Sequence, residues 1–293
     1  MRCAMAIYNL AGSQINYAYD ANGNQIGTAY DLIGNIVFQS GDVPWIDEIS
    51  VEKKRDATAN TNYYVIRIPK VRANGQKQYP FVYAPNGANA GTQSTLSMNQ
   101  EKGFELAINA GIFYTGYLPI GLTIQDGSLI QQGQSSAYPL TVDNNGKLDY
   151  VQPNTDGASL IANGIVSAVV GFCPIIVNYI GVDQSIYQIV TNYDQHAQRQ
   201  IIGQFDNGDY CIITGEGRNF DNSTGFTIPQ AISVCLELGL KFAYNLDGGG
   251  STETVIGDTQ LNTIYEGTYG RVVPTYIVFN GTDRFFVPSE VLS

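Results

Sequence analysis

The sequence predicts an α+β fold, with a β-rich mixed-sheet core, few helices and a small N-terminal β-repeat appendage. Three observations carry that prediction. Short apolar, β-branched runs alternate with turn dipeptides such as Asn74-Gly75, Asp126-Gly127 and Asn145-Gly146. Only 14% of the 293 residues are charged, against 32 glycines and 20 tyrosines, which is a turn-rich and weakly charged profile. Helix start and stop signals are clear in only two stretches, 94–103 and 227–239. The length suits one large domain with an appendage.

The appendage is residues 1–42. Tyr8, Tyr19 and Tyr30 recur with a period of eleven, in step with Gly12, Gly23 and Gly34 and with Ile15, Ile26 and Val37. Each unit reads as a short strand closed by a glycine turn, and glycine and asparagine at fixed places exclude a helix. Three such units bury little alone, so stacking or self-association is expected. The repeats resemble the tyrosine–aspartate repeats at the start of gut-phage structural proteins and some bacterial surface proteins, which implies an attachment or assembly role.

Residues 43–293 form the main domain. Strands at 62–69 and 78–83 flank Asn74-Gly75 and are expected to form a hairpin. Ser94 and Gly103 bracket a short helix, followed by a buried strand ending at Asn109. A strand and Asp-Gly turn follow at 119–129, and a strand pair surrounds Asn145-Gly146. The apolar run 167–177 is expected to be one buried strand bent at Gly171 and Pro174. The hairpin 200–214 carries Arg199 before its first strand and Arg218 just past its second, so the two guanidiniums are expected to converge on an anion. Glu216 between them is the simpler partner. The helix after Thr227 has Pro229 in its first turn, Gly239 as its stop and an expected apolar stripe of Ile228, Ile232, Cys235 and Leu238. It delivers the chain into the strand before Asp247, and Arg271 opens a last strand expected in the main sheet.

The centre of the chain is Tyr244-Asn245-Leu246-Asp247-Gly248-Gly249-Gly250-Ser251-Thr252. Three consecutive glycines between two apolar runs suit a backbone that turns with positive φ or admits a ligand closely. Asp247 beside free amides can act as acid, base or nucleophile next to an anion-binding nest. A glycine-rich hairpin with a capping Asp is the competing reading. Phosphate-loop chemistry is disfavoured, because no lysine follows the glycines and a strand replaces the expected helix.

A net charge of −11 leaves no basic footprint for nucleic acid. No apolar run reaches membrane-span length, and the first ten residues are too short and polar for a secretion signal. Cys3, Cys173, Cys211 and Cys235 lack paired spacing and read as free thiols. His196 is the single histidine, so no metal and no cofactor is expected.

Asn109-Ala110-Gly111-Ile112-Phe113, Pro119-Ile120-Gly121-Leu122, 199–203, Gly217-Arg218, the helix, 245–252 and Arg271 together resemble the phosphodiester glycosidase family over about residues 100–280. The resemblance implies hydrolysis of a glycosyl-1-phosphodiester to free sugar and phosphomonoester. It implies Asp247, or failing that Glu216, as the reacting carboxylate. Arg199, Arg218 and Arg271, with the amides of Gly248, Gly249, Gly250 and Ser251, would neutralise phosphate. Asn109 and Asn245 would hold hydroxyls or the acetamido group of an N-acetylglucosamine-like sugar, and His196, Ser251 and Thr252 are further expected substrate-binding residues. Gln198, Glu216 and Glu253 depart from the family pattern, which usually has Pro, Asp and a small or apolar residue there. The expected setting is a phage tail or extracellular surface acting on teichoic acid or capsule, with virion or homo-oligomeric assembly through residues 1–42. A catalytically inactive carbohydrate-binding tail protein is the alternative.

Overall fold

The computed structural model describes residues 49–72, 75–265 and 270–280, together with the backbone of five strands between Arg2 and Gln39. Arg2–Tyr8, Gln14–Tyr19 and Gln25–Ile26 form one antiparallel sheet, and Thr28–Tyr30 pairs with Ile36–Gln39. The glycine turns of the repeat and the Cys3 side chain lie outside the described residues.

The described residues from Ile49 onward form three antiparallel sheets. The largest has seven strands in the order Ile180–Gly181, Cys173–Val177, Phe242–Asn245, Arg199–Gln204, Tyr210–Gly215, Thr61–Ile68 and Ser50–Asp56. A five-stranded sheet runs Thr259–Gln260, Thr254–Ile256, Leu106–Asn109, Tyr276–Phe279 and Phe81–Tyr83. The other five-stranded sheet runs Ser128–Gln132, Leu122–Gln125, Ile165–Val169, Leu140–Asp143 and Leu148–Tyr150.

Period-two alternation assigns each strand's side chains to two layers. Tyr64, Ile66, Ile68, Ile202, Ile212 and Tyr244 join Leu106, Ile108, Leu140 and Ile277 in a core shared by all three sheets. Their neighbours Val65, Ile201, Cys211 and Ile213 face the helix Ile228–Glu237. Thr227 and Gln230 close a capping box at its start. Its buried face is Ile228, Ala231, Val234 and Cys235, so the stripe is rotated from the expected one, leaving Ile232 and Leu238 half-buried. The helix Thr95–Lys102 starts at Ser94 and stops at Gly103, whose φ is +72°, as its flanking residues predict. Cys173, Cys211 and Cys235 are buried free thiols.

Three expected pairings resolve differently. Among the described residues the chain around Gly75 closes a short loop, with the bridge Val71↔Lys77 and the Gly75 N–H on the Arg72 carbonyl at 2.8 Å, and not a hairpin of the two expected strands. Thr61–Ile68 pairs with Tyr210–Gly215, whereas Phe81–Tyr83 pairs with Tyr276–Phe279 in another sheet. Pro69 and Pro80 lack the N–H that would extend the ladder between them. The run 167–177 is two strands in two sheets, crossing at Gly171, where a Cβ would lie 2.8 Å from the Tyr244 ring and 3.0 Å from Leu246 Cα. The last strand joins Leu106–Asn109 in a five-stranded sheet and not in the largest one.

Candidate active site

The strand Phe242–Asn245, central in the seven-stranded sheet, ends at Asn245, and the chain re-enters a five-stranded sheet at Thr254. The Asp247 turn is therefore the crossing between two sheets. Asn109, at the end of Leu106–Asn109, fastens both sides of it. Its Nδ2 donates to the Asp247 carbonyl at 2.7 Å, its Oδ1 accepts the Glu253 N–H at 3.0 Å, and its own N–H donates to the Glu253 carbonyl at 3.2 Å. The Asp247 N–H donates to the Ala110 carbonyl at 3.0 Å. Asn109 thus holds the turn, with both ends of its amide engaged by backbone.

The Asp247 carboxyl is half-buried and accepts the Gly248 N–H at 3.0 Å. Burial pushes it up from the usual Asp value to about 6, against the opposing pull of the Ser251 hydroxyl, the Gly248 amide and the Arg271 charge. Gly249 takes φ of +57°. Arg218 Nη2 lies 3.3 Å from where a Cβ on Gly249 would stand. At Gly250 a Cβ would come within 2.6 Å of Arg271 Nη2 and 2.9 Å of Tyr265 Cδ1, so glycine is what lets both groups close on the turn. Arg271 Nη1 also donates to Ser251 Oγ at 3.4 Å.

The exposed Arg218 sits in the left-handed region at φ +57°, as do Asn219, Asp221 and Asn222. Such a run of non-glycine residues is strained and persists only because its surroundings hold it. Asn62 Nδ2 donates to the Asp221 carbonyl at 2.9 Å, and Asn219 N–H to the Ser223 carbonyl at 2.9 Å. The Arg218 guanidinium stacks on Tyr265, with Cζ 3.9 Å from the ring centroid.

Several expected site residues sit elsewhere. The backbones of Arg199 and Gly215 pair, so the hairpin ends do meet, but the side chains part. Arg199 points to the helix-covered face with Ile201. There its Nε donates to the Phe226 carbonyl at 2.9 Å, and its Nη2 to those of Asn192 and Gln195 at 2.7 and 2.9 Å. At 4% exposure it is an internal brace, and burial pulls it down to about 10. His196 is exposed on the preceding loop. Asn245 is buried and donates to the Leu246 carbonyl at 3.1 Å. The expected amide nest is largely engaged. Gly248 N–H serves Asp247 Oδ1, Gly249 N–H donates to Gln198 O at 2.8 Å, and Ser251 N–H donates to Gly248 O at 3.1 Å. Thr252 is buried, with its N–H on the Gly249 carbonyl at 3.2 Å.

Glu216 is buried and accepts the Thr263 N–H at 2.8 Å. Its other oxygen has no hydrogen-bond partner among the described residues. Burial pushes it up to about 7, with Asp221 adding to the rise and Thr263 and Lys53 opposing it. Glu253 is also buried and caps the Thr95–Lys102 helix, accepting the N–H of Thr95 at 2.8 Å and of Leu96 at 3.2 Å. A carboxylate there meets the positive end of the helix dipole. Sequence reasoning missed Tyr265. It stands in a polar loop without periodicity, and only the fold brings it to Gly250. Among the described residues no cluster of three His, Cys, Asp or Glu side chains is arranged to hold a metal ion.

The model of the phosphodiester glycosidase family matches residues 102–280, and the chain belongs to that family. Among its relatives is an SPbeta prophage-derived uncharacterized protein of Bacillus subtilis, 28% identical over 260 residues. That alignment spans 81% of this chain but 40% of the relative. Among solved structures, the catalytic domain of zebrafish N-acetylglucosamine-1-phosphodiester alpha-N-acetylglucosaminidase, auto-inhibited by its pro-peptide, superposes with a TM-score of 0.62 at 14% identity. The match covers 82% of this chain and 85% of that one. A hypothetical protein from Synechocystis gives a TM-score of 0.64 at 14% identity, covering 82% and 64%. These two likenesses establish a shared fold.

Proposed function

We propose that the chain hydrolyses the bond between C1 of an N-acetylglucosamine-like sugar and the bridging oxygen of a phosphodiester. The observation that carries this is Asp247, a half-buried carboxyl raised to about 6, on a glycine turn that two guanidiniums approach. The C1–O bond breaks and its electron pair goes to the phosphate oxygen. A phosphodiester oxygen is a good leaving group, so charge neutralisation by Arg218 and Arg271 matters more than a strong acid. Ionised Asp247 acts at the sugar carbon, either as nucleophile or as base toward water. As base, Asp247 takes the water proton and passes it to solvent while the water oxygen bonds to C1. As nucleophile, it forms a glycosyl ester that water then opens at C1, releasing Asp247 as a carboxylate and the water proton to solvent.

Membership of the family supports the reaction class, and the substrate in the zebrafish enzyme's name supports the sugar. The prophage-derived relative supports a phage-borne setting. In that setting residues 1–42 attach the domain of residues 43–293 to a tail or cell surface, and the substrate is teichoic acid or capsule. Incubation with an N-acetylglucosamine-α-1-phosphomethyl diester, followed by mass spectrometry, tests the reading. Free sugar and methyl phosphate are expected from wild type and neither from Asp247→Asn. Sugar-1-phosphate would mean P–O cleavage and overturn the mechanism. Binding of the diester without product would mean a carbohydrate-binding tail protein.

A further inference from the structure

Thr263 is gripped at both of its backbone polar groups. Its N–H donates to Glu216 Oε1 at 2.8 Å, and its carbonyl accepts from Gln198 Nε2 at 2.8 Å. Asn262 beside it accepts the Thr254 N–H at 2.9 Å and donates to the Thr252 carbonyl at 2.8 Å. Two residues further on, Tyr265 lies under the Arg218 guanidinium and against Gly250. The exposures divide these groups. Glu216 and Gln198 are 1% and 0% exposed, whereas Tyr265 is 44% exposed and Arg218 is open to solvent. The first two are buried under the strap of residues 261–265, and the last two form its outer edge.

We propose that Tyr265 and Arg218 form the phosphate-orienting wall of the site, and that Glu216 and Gln198 are positioning residues that set this wall by holding Thr263. The inference rests on the glycosyl-phosphodiester reading above. A guanidinium with one face on an aromatic ring keeps its N–H edge free for two phosphate oxygens, and the ring limits its rotation. Tyr265 therefore fixes the direction in which Arg218 presents that edge, with Arg218 beside Gly249 and Tyr265 beside Gly250. A carboxamide at 216 still offers an oxygen to the Thr263 N–H, so the positioning role needs an acceptor and not a charge.

Steady-state kinetics on the N-acetylglucosamine-α-1-phosphomethyl diester, with equilibrium binding of N-acetylglucosamine-1-phosphate, tests this. Tyr265→Ala is expected to raise KM and weaken sugar-phosphate binding by roughly 2- to 30-fold, the range of a cation–π contact, while Tyr265→Phe stays near wild type. Glu216→Gln is expected to retain turnover within about 3-fold. Glu216→Ala is expected to lose as much as Tyr265→Ala, and in the Tyr265→Ala background to lose nothing more, because both act through one element. Turnover falling about 1,000-fold in Glu216→Gln would make Glu216 a reacting carboxylate and overturn the proposal. So would losses that add in the double variant, or unaltered sugar-phosphate affinity in Tyr265→Ala. Absence of both binding and turnover in wild type would instead overturn the functional reading on which it rests.

Discussion

At the scale of single residues, the chemistry proposed for Asp247 and Arg218 is separable from the bracing by Arg199. Asp247→Asn is expected to lower turnover by about 100- to 10,000-fold with the fold intact, read from kcat and a thermal melt. In the proposed mechanism Asp247 acts ionised, and it is raised to about 6, so kcat/KM should climb as pH rises through about 6. A flat profile from pH 5 to 7 would remove Asp247 from the chemistry. Arg218→Ala should cost activity and leave the melting temperature unchanged. Arg199→Leu should remove the buried guanidinium that ties together the Phe226, Asn192 and Gln195 carbonyls and cost about 3 kcal/mol of stability, with chemical denaturation as the measurement. Gly250→Ala has no φ barrier, but its Cβ collides with Arg271 and Tyr265, so it should raise KM for the diester while leaving the melt within a few degrees. The sequence singled out the Asp-Gly-Gly-Gly turn together with Arg218 and Arg271, and the fold brings both guanidiniums to that turn. Arg199 was misread because strand position determines where a backbone ends, whereas the layer packed on each face determines where the side chain goes.

Among the elements, the helices Thr95–Lys102 and Ile228–Glu237 and the hairpins at 122–132, 140–150 and 199–215 follow from local turn and cap chemistry. Their signals lie within a few residues of each other. The short helices Gly157–Ala162 and Gln184–Tyr187 went unread. Thr61–Ile68 pairs with Ser50–Asp56 just before it and with the distant Tyr210–Gly215, and Phe81–Tyr83 pairs with the distant Tyr276–Phe279, so the Asn-Gly turn between them predicted a pairing that the tertiary core replaced. Glu253 makes the same point for a helix. In sequence it is a charged residue beside the glycine turn, and in the fold it caps the helix that starts at Thr95. Glu253→Ala should therefore destabilise by about 1 kcal/mol and speed hydrogen exchange across Thr95–Lys102, whereas equal exchange in both proteins would deny it the capping role.

For the whole molecule, Asp247, Glu216 and Glu253 are among the buried or half-buried carboxyls that titrate high in the fold, and Asp209 is another. Asp247 lies at about 6, and Glu216 and Glu253 at about 7, all because burial penalises their charge. Their ordinary values are 3.8 and 4.5. Between about pH 4.5 and 7 the folded chain therefore holds more protons than the unfolded chain, and stability falls as pH rises. The melting temperature should be higher at pH 5 than at pH 7.5, and Glu253→Gln should flatten that slope. A melting temperature that increases across the same interval would contradict the burial of these charges. Composition and periodicity determined by themselves that the main domain is β-rich with few helices, and the motif series determined which turn is central. These are local properties, written in neighbouring residues. Only the tertiary structure decided that the turn is a crossing between two sheets, that Asn109 fastens it and that Glu216 grips Thr263. It alone decided that Tyr265 meets Arg218, because each of these contacts joins residues far apart in the chain or depends on which layer covers which face.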